Sequence, residues 1–386
     1  MNERELERRL TRAMHADDAG SRARAREVVQ AAYGEREPSR RARRRVRPVA
    51  LLAALTLVVG AAVAAATTPH GGVGRLVRDV LGIGEPHARP ALVHVPGGGR
   101  LLVQSGASTW VVQPGGARRR IGTYDGAAWS PRGLYIVAWR GGILTATEPS
   151  GRVHWSLSRP GRIEAARWSP VDGFRIAYLS GGSLRVVNGD GSGDHRYGPA
   201  DVGVVPAWRP DNAHVLAYVD ARQRVTVAAV DLRRRLWRSG PIRGALAVAW
   251  SPNGRRLLVL ARGRAAVYDA AGHAIAVRRL AGVQSGTWSS QGSLAVVRSR
   301  AGISELLLLD QALRGRVIFS GPGRFRPPAW APDGRSLLLP WPTARQWLFL
   351  HPQGSTRPEA VGNIASQFAP GARHPAFPRS VQRCCS

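Results

Sequence analysis

The Gly- and Asp-rich stretch NGDGSGDHR, which starts at Asn188, comes closest in this chain to a metal-binding pattern. Asn188, Asp190 and Ser192 place oxygen atoms at alternate positions, and Gly193 stands sixth, as in the first half of a calcium loop. The twelfth position is Pro199, where a calcium loop has a bidentate Glu. We therefore interpret the stretch as a hairpin turn, with a calcium site as the alternative.

The other residue types that could do chemistry are scattered along the chain. There is no G-x-S-x-G motif, no H-E-x-x-H motif and no hydrolase-like segment beside the repeats described below. Histidines occur singly in turns or strands, at His154, His195, His214, His273, His351 and His374. We expect no catalytic residue, no cofactor and no metal site.

The two cysteines, Cys384 and Cys385, are adjacent in the sequence QRCCS. Neighbouring cysteines do not readily bridge each other, and a terminal pair is usually unstructured. We expect residues 379–386 to form a disordered tail. In an oxidising compartment the alternative is a disulfide between two chains.

The chain is strongly basic, with a formal net charge of +31. All 56 basic residues are arginine, which is typical of a composition bias as much as of selection for one binding patch. The excess is spread along the chain, and we expect no role in binding nucleic acid. The positive charge favours instead an anionic envelope component, such as wall polymers or lipid headgroups, as one class of ligand.

A tryptophan recurs in register six times, each followed by a turn and an apolar run, as in AWSPNGRRLLVLA. The intervals are 39, 40, 42, 38 and 42 residues. A fixed period near forty indicates repeats that bury their apolar faces on one another. These tryptophans are the structural repeat residues: Trp129, Trp168, Trp208, Trp250, Trp288 and Trp330.

Each repeat contains four short apolar stretches separated by Gly, Pro, Asn or Asp. Four antiparallel strands per repeat, with one tryptophan, predict the blade of an all-β propeller. We interpret the indole as a wedge between neighbouring blades, because the regular spacing keeps these rings apart and speaks against an aromatic ligand cage.

The W-S-P-[DN]-G phrase resembles the TolB-type, WD-repeat-like β-propellers, and the resemblance covers residues 91–378. It implies a propeller in which the phrase lies between the first and second strands of a blade. It does not imply one function, because the family includes scaffolds, sensors and non-catalytic propellers of peptidases. Gly133, Asn253 and Gln291 replace the turn Asp, and Trp288 is followed by Ser-Ser, so the motif has a structural role here.

The two ends of the repeat region predict seven blades, with six or eight as alternatives. The segment before Trp129 supplies only the last three strands of a blade. The segment NIASQFAPGARHPAF, with Phe368 standing 38 residues after Trp330, matches a first strand and turn. Pairing this segment with the N-terminal blade would close the ring and remove its exposed edge.

Residues 48–68 hold no charged side chain, and a helix of about twenty residues spans the hydrocarbon core of a bilayer. Six arginines in residues 40–47 precede this segment, which predicts a cytoplasmic N-terminus and an extracytoplasmic propeller in the cell membrane. A cleaved signal peptide is the alternative. Residues 69–90 are then a juxtamembrane stalk.

Residues 1–47 form an Arg-rich cytoplasmic tail with short helical patterns, such as Leu6, Leu10 and Met14 on one face. The tail is either solvated or a partner-binding helix pair, as in membrane-tethered anti-sigma factors. We therefore expect a non-catalytic propeller that binds or scaffolds a protein, a peptide or an envelope ligand. The alternative is an anti-sigma-like transmembrane regulator that senses an external ligand, and an enzyme acting at the channel mouth is a third class.

Overall fold

The computed structural model describes residues 88–89, 91–354, 358–369 and 372–385, which form seven antiparallel sheets arranged as blades. The predicted seven-bladed, all-β propeller is therefore confirmed. The predicted cytoplasmic tail, transmembrane segment and most of the stalk lie outside the described residues. Within the described ranges, no helix is long and apolar enough to cross a membrane.

Blades 2 to 4 each consist of four consecutive strands. Blade 2 contains β5 (Gly126–Trp129), β6 (Ile136–Arg140), β7 (Ile143–Thr147) and β8 (Val153–Ser158). Blade 3 contains β9 (Ile163–Trp168), β10 (Arg175–Ser180), β11 (Ser183–Asn188) and β12 (His195–Pro199). Blade 4 contains β13 (Ala207–Trp208), β14 (Val215–Val219), β15 (Arg224–Ala229) and β16 (Arg234–Pro241).

Blades 5 to 7 continue the same order. Blade 5 contains β17 (Ala245–Trp250), β18 (Arg256–Ala261), β19 (Arg264–Asp269) and β20 (Ala274–Arg279). Blade 6 contains β21 (Val283–Trp288), β22 (Leu294–Arg300), β23 (Ile303–Leu309) and β24 (Gly315–Pro322). Blade 7 contains β25 (Ala329–Trp330), β26 (Leu337–Trp341), β27 (Gln346–Leu350) and β28 (Glu359–Val361), and β1 (Ala88–Arg89) pairs with β28 in parallel.

Blade 1 joins the two ends of the propeller. Its strands are β2 (Arg100–Ser105), β3 (Ser108–Val112), β4 (Arg118–Thr123) and, as its first strand, β29 (Ser380–Cys384). Strand β29 pairs antiparallel with β2 and contacts β25 of blade 7 and β5 of blade 2. The ring is thus closed by a C-terminal strand, which covers the inner edge of β2.

Two expectations about the C-terminal region are wrong. Of the expected disordered tail 379–386, Ser380–Cys384 form β29, whose backbone completes the blade 1 ladder. Phe368 is not in the closing strand. It follows the short helix α1 (Ile364–Gln367), and its buried ring packs against Trp110 and Trp347 with centroid distances of 6.1 and 5.4 Å.

The hydrophobic core consists mainly of strands that are buried on both faces. The second and third strands of a blade are almost fully buried, as in β18 and β26, because neighbouring blades cover both of their faces. The fourth strands, such as β8 and β20, alternate exposed and partly buried residues because they form the outer edge. The first strands of neighbouring blades contact one another, as β5 contacts β9, and surround the propeller axis.

Candidate binding surface

All six repeat tryptophans lie at the last position of the first strand of a blade. Five of them are buried, with exposed fractions of 7–9%, and Trp129 is partly exposed. Three donate a hydrogen bond from Nε1 to a backbone carbonyl of the preceding blade. The pairs are Trp208 to Arg167 at 3.0 Å, Trp288 to Ala249 at 3.1 Å and Trp330 to Thr287 at 3.2 Å. The indoles therefore fix one blade to the next.

In blade 1 an arginine takes the place of the tryptophan. Arg383 of β29 pairs with Leu101 of β2, at the same register as Trp250 with Leu257 in blade 5. Its guanidinium donates hydrogen bonds to the carbonyls of Pro96, at 2.7 Å, and Gly98 and lies 5.9 Å from the Phe349 ring of blade 7. Burial lowers the pKa of Arg383 to about 10, and the group stays charged at neutral pH.

The candidate calcium stretch forms the turn between β11 and β12. Asp190 accepts hydrogen bonds from the backbone N–H of Ser192, at 2.9 Å, and from its hydroxyl, at 2.7 Å. The Asn188 side chain contacts Ser192 and Arg175. Oδ1 of Asp190 is thus occupied within the turn, and Oδ1 of Asn188 accepts from Arg175 of β10. Across the described part of the chain, no group of three His, Cys, Asp or Glu residues could hold a metal ion.

Cys384 and Cys385 are joined to each other by a disulfide at the end of β29. The expectation that neighbouring cysteines would not bridge each other is therefore wrong. Both sulfurs lie beside Gly133 in the first turn of blade 2, where an added Cβ would come within 2.5 Å of each of them. The pair thus packs at the junction of blades 1 and 2.

The clearest candidate site is a groove of about 480 Å³ between blades 3 and 4. One wall is β12, and the other comprises Tyr218 of β14, strands β15 and β16 and the loops before and after β15. Two tyrosines lie inside, Tyr197 and Tyr218, with ring centroids 6.3 Å apart in an edge-to-face contact. The groove is lined by five arginines: Arg196, Arg222, Arg233, Arg235 and Arg238.

The groove is open because small residues replace the large ones that fill the preceding blade interface. In blade 3, Tyr178 pairs with Arg185, which joins Asp194 and Arg159 of blade 2 in a buried ionic cluster. In blade 4, Tyr218 at the same register pairs with Thr226. A threonine cannot fill the volume of an arginine and its ion-pair partners, so space remains beside the Tyr218 ring.

The outer rim of the groove is also open. Trp155 of blade 2 and Trp237 of blade 4 each cover the next blade, donating from Nε1 to a backbone carbonyl at 2.9 and 3.0 Å. The equivalent residue of blade 3 is His195, which faces Val186 as Trp237 faces Val227. Imidazole is smaller than indole, and His195 leaves the rim of blade 4 uncovered.

The uncovered rim leaves room for the side chain of Arg233, whose position is taken by a glycine at the two neighbouring blade interfaces. Beneath Trp155 and Trp237 lie glycines with positive φ, Gly191 and Gly272, whose added Cβ would come within 2.8 Å of the indole. The corresponding turn position in blade 4 is Arg233, which keeps the left-handed backbone with φ 48°. A non-glycine residue in this conformation is uncommon, and its side chain lines the groove.

The groove is a strongly positive environment. Arg222, Arg233 and Arg235 form no ion pair with any carboxylate among the described residues, and Arg238 lies 4.0 Å from the one acid in the lining, Asp220. Burial raises the pKa of Tyr218, whose hydroxyl therefore stays protonated. The arrangement can bind anions through guanidinium groups and phenol hydroxyls.

A second ionic cluster, centred on His214, joins blades 3 and 4. Its ring lies between two carboxylates, with Nε2 2.7 Å from Asp172 of blade 3 and Nδ1 2.5 Å from Asp231 of blade 4. Arg175 of blade 3 contacts Asp231 at 3.0 Å. Burial alone would lower the pKa of His214, but the hydrogen bonds to Asp172 and Asp231 outweigh burial and raise it to about 9. The imidazolium thus links blades 3 and 4.

Sequence reasoning considered the repeat tryptophans and the Asp-rich turn but missed the groove. The groove residues come from separate strands and turns, and they differ from the residues that fill the neighbouring interfaces: His195 stands where blades 2 and 4 have Trp, Thr226 where blade 3 has Arg, and Arg233 where blades 3 and 5 have Gly. A comparison of the blades position by position would have found these departures. The comparison needs the strand register, which the structure supplies.

The fold agrees with solved propellers, whereas no protein-family model and no curated protein matches the sequence. A chain in the crystal structure of a mitotic checkpoint complex is 16% identical, with a TM-score of 0.54 over 69% of this chain and 95% of that chain. Saccharomyces cerevisiae Sqt1 is 13% identical, with a TM-score of 0.53 over 68% and 82%.

The β-propeller domain of Cps50 (Swd1) from Myceliophteria thermophila is 12% identical to this chain, with a TM-score of 0.51 over 62% of this chain and 86% of that domain. The TM-scores above 0.5 establish a shared fold, and identities of 12–16% leave ligands and partners open. The described chain is accordingly a seven-bladed, WD40-like β-propeller.

Proposed function

We propose that this protein is a membrane-anchored, extracytoplasmic propeller of the TolB type that binds or scaffolds a protein, a peptide or an anionic envelope ligand without catalysing a reaction. The observation that carries the proposal is the open groove between blades 3 and 4, where five arginines meet in a rigid scaffold. Binding residues held by a rigid framework lose little conformational freedom when a ligand arrives.

The location rests on the sequence before the propeller. Residues 48–68 are apolar and follow six arginines, which supports a cytoplasmic N-terminus and an external propeller. Fusions of alkaline phosphatase after residue 90 and before residue 48 test this arrangement. We expect activity, which requires export, only from the fusion after residue 90. The reverse pattern, or activity from neither fusion, would contradict the extracytoplasmic location.

Crosslinking in intact cells tests the binding function. A photoreactive amino acid at Ala221, an exposed residue in the groove lining, should form a specific adduct that mass spectrometry can identify. The same probe at Arg264, an exposed residue of blade 5, serves as the control. Adducts of equal yield at both positions, or no adduct at probes placed on all seven blades, would refute a binding role.

The second candidate function is an anti-sigma-like regulator, and the apolar stripe of Leu6, Leu10 and Met14 supports it. Under this hypothesis, residues 1–47 hold a cytoplasmic partner that ligand binding to the propeller releases. Pull-down of a sigma factor by residues 1–47 would favour the regulator. Unchanged function after deletion of residues 1–39 would favour the binding platform.

A further inference from the structure

We infer that the groove between blades 3 and 4 binds an extended segment of a partner protein that carries acidic and aliphatic side chains together. The inference rests on the proposed binding function and specifies the partner. Three of the lining arginines, Arg222, Arg233 and Arg235, have no carboxylate partner among the described residues. Guanidinium groups bind carboxylates through two parallel hydrogen bonds, so Asp or Glu side chains of a partner would satisfy them.

Apolar side chains beside the arginines favour a peptide over a simple polyanion. Leu232 is 71% exposed and Leu236 is 37% exposed, and they flank the run Arg233–Arg235 in the sequence, next to the residues that line the groove. The groove also contains Asp220, which would repel a dense row of phosphates. A peptide can offer aliphatic groups to the leucines and N–H groups to the carboxylate, and an inorganic polyanion offers neither.

The backbone of the rim supplies a further contact. In its sheet β16 pairs only with β15, which leaves the outer edge of β16 without a strand partner among the described residues. An extended peptide can add to such an edge by main-chain hydrogen bonds, and its alternate side chains then point to the two faces. A volume of about 480 Å³ suits a few side chains of such a segment.

One polar atom in the wall also lacks a partner. Nε2 of His195 is buried and makes no hydrogen bond, whereas Nδ1 contacts the carbonyl of Gly193 at 2.9 Å. Buried nitrogen atoms without a partner are uncommon in folded proteins. Because Nδ1 donates to the Gly193 carbonyl, Nε2 of the neutral ring accepts, and a backbone N–H of a partner would supply the missing hydrogen bond.

The test uses the purified full-length chain in detergent and a dye-labelled ten-residue peptide in which Glu and Leu alternate. We expect fluorescence anisotropy to show saturable binding. The double variant Arg222→Ser/Arg235→Ser should bind about tenfold more weakly, because it removes two charge-assisted contacts. Arg234→Ser is the matched control: Arg234 is exposed on the same strand but does not line the groove, and the affinity should stay within about twofold.

A second variant closes the groove and keeps Arg222 and Arg235. His195→Trp with Arg233→Gly reproduces the indole over glycine that covers the interface between blades 2 and 3, and this variant should abolish binding. An unchanged affinity of this variant would overturn the inference, as would failure of the peptide to bind. If inorganic polyphosphate binds with the same dependence on arginine and the peptide does not bind, the ligand of the groove is a polyanion and not a peptide. The proposed binding function would then still stand if in-cell crosslinking captured a partner at another blade.

Discussion

Replacing His214 by Asn tests whether the ionic cluster between blades 3 and 4 stabilises the propeller. The imidazole ring is 8% exposed and lies between Asp172 and Asp231. Asparagine removes the cation but tolerates the left-handed backbone of this residue, whose φ is 45°. The variant therefore leaves two carboxylates facing each other across the blade interface without the positive charge between them.

The expected magnitude follows from the pKa of the ring. A rise from 6.5 to about 9 corresponds to about 3.5 kcal/mol, at about 1.4 kcal/mol per pH unit. Asp172 and Asp231 are 34% and 41% exposed, so water screens part of this energy, and we expect a loss of about 1–3 kcal/mol in the free energy of unfolding. Because the folded-state pKa is the higher one, the contribution is complete below pH 6.5 and is lost as the pH rises through about 9.

Urea unfolding of the full-length protein, followed by tryptophan fluorescence, measures this effect. The wild type should lose stability between about pH 6 and about pH 9.5, and His214→Asn should show little of that loss. His273→Gln is the control, because His273 is exposed in a turn of blade 5 and its loss should leave the pH dependence unchanged. An identical pH dependence in the wild type and in His214→Asn would refute the link between blades 3 and 4.

Three further predictions concern the packing between blades. Trp208→Phe should lower the free energy of unfolding by about 2 kcal/mol, more than Trp250→Phe, whose indole Nε1 has no hydrogen-bond partner to lose. Equal losses in urea titrations would show that the hydrogen bond from Trp208 to blade 3 adds nothing to stability. Gly272→Ala should lower the free energy of unfolding by about 2 kcal/mol or more, because φ is 97° and the Cβ would lie 2.7 Å from the Trp237 indole. Gly263→Ala, with open space around it, should lower the free energy of unfolding less in the same assay. Deletion of residues 380–385 should expose the edge of β2 and produce aggregates on size-exclusion chromatography, and a monomer of unchanged melting temperature would show that β29 is dispensable.

The sequence was sufficient to predict the propeller because the tryptophan repeat is a local signal that recurs in six blades. It was insufficient to locate the closing strand, because Ser380–Cys384 has neither the tryptophan nor the apolar alternation of the other first strands. Arg383 stands where the indole is expected, and the carbonyls of Pro96 and Gly98 that hold it lie 287 and 285 positions away. Such a long-range pairing leaves no periodic pattern.

The groove between blades 3 and 4 could not be predicted for a different reason. Each of its residues is ordinary in isolation: a histidine in a strand, a threonine in a strand and an arginine in a turn. Only the register shows that His195 stands where blades 2 and 4 have Trp, Thr226 where blade 3 has Arg and Arg233 where blades 3 and 5 have Gly. The site is a set of departures from a repeat, and such departures are visible only after the repeats have been superposed.

The pairing of β29 with β2 also sets the order in which the chain can complete its structure. Strand β2 leaves the ribosome long before β29, and Arg383 lies 285 positions from its partner Gly98. Until then the first blade has one apolar edge without a neighbour, and contacts of such large separation form slowly. During synthesis the edge of β2 therefore stays unpaired until β29 is made, and a ribosome that stalls late leaves an open ring with this edge exposed.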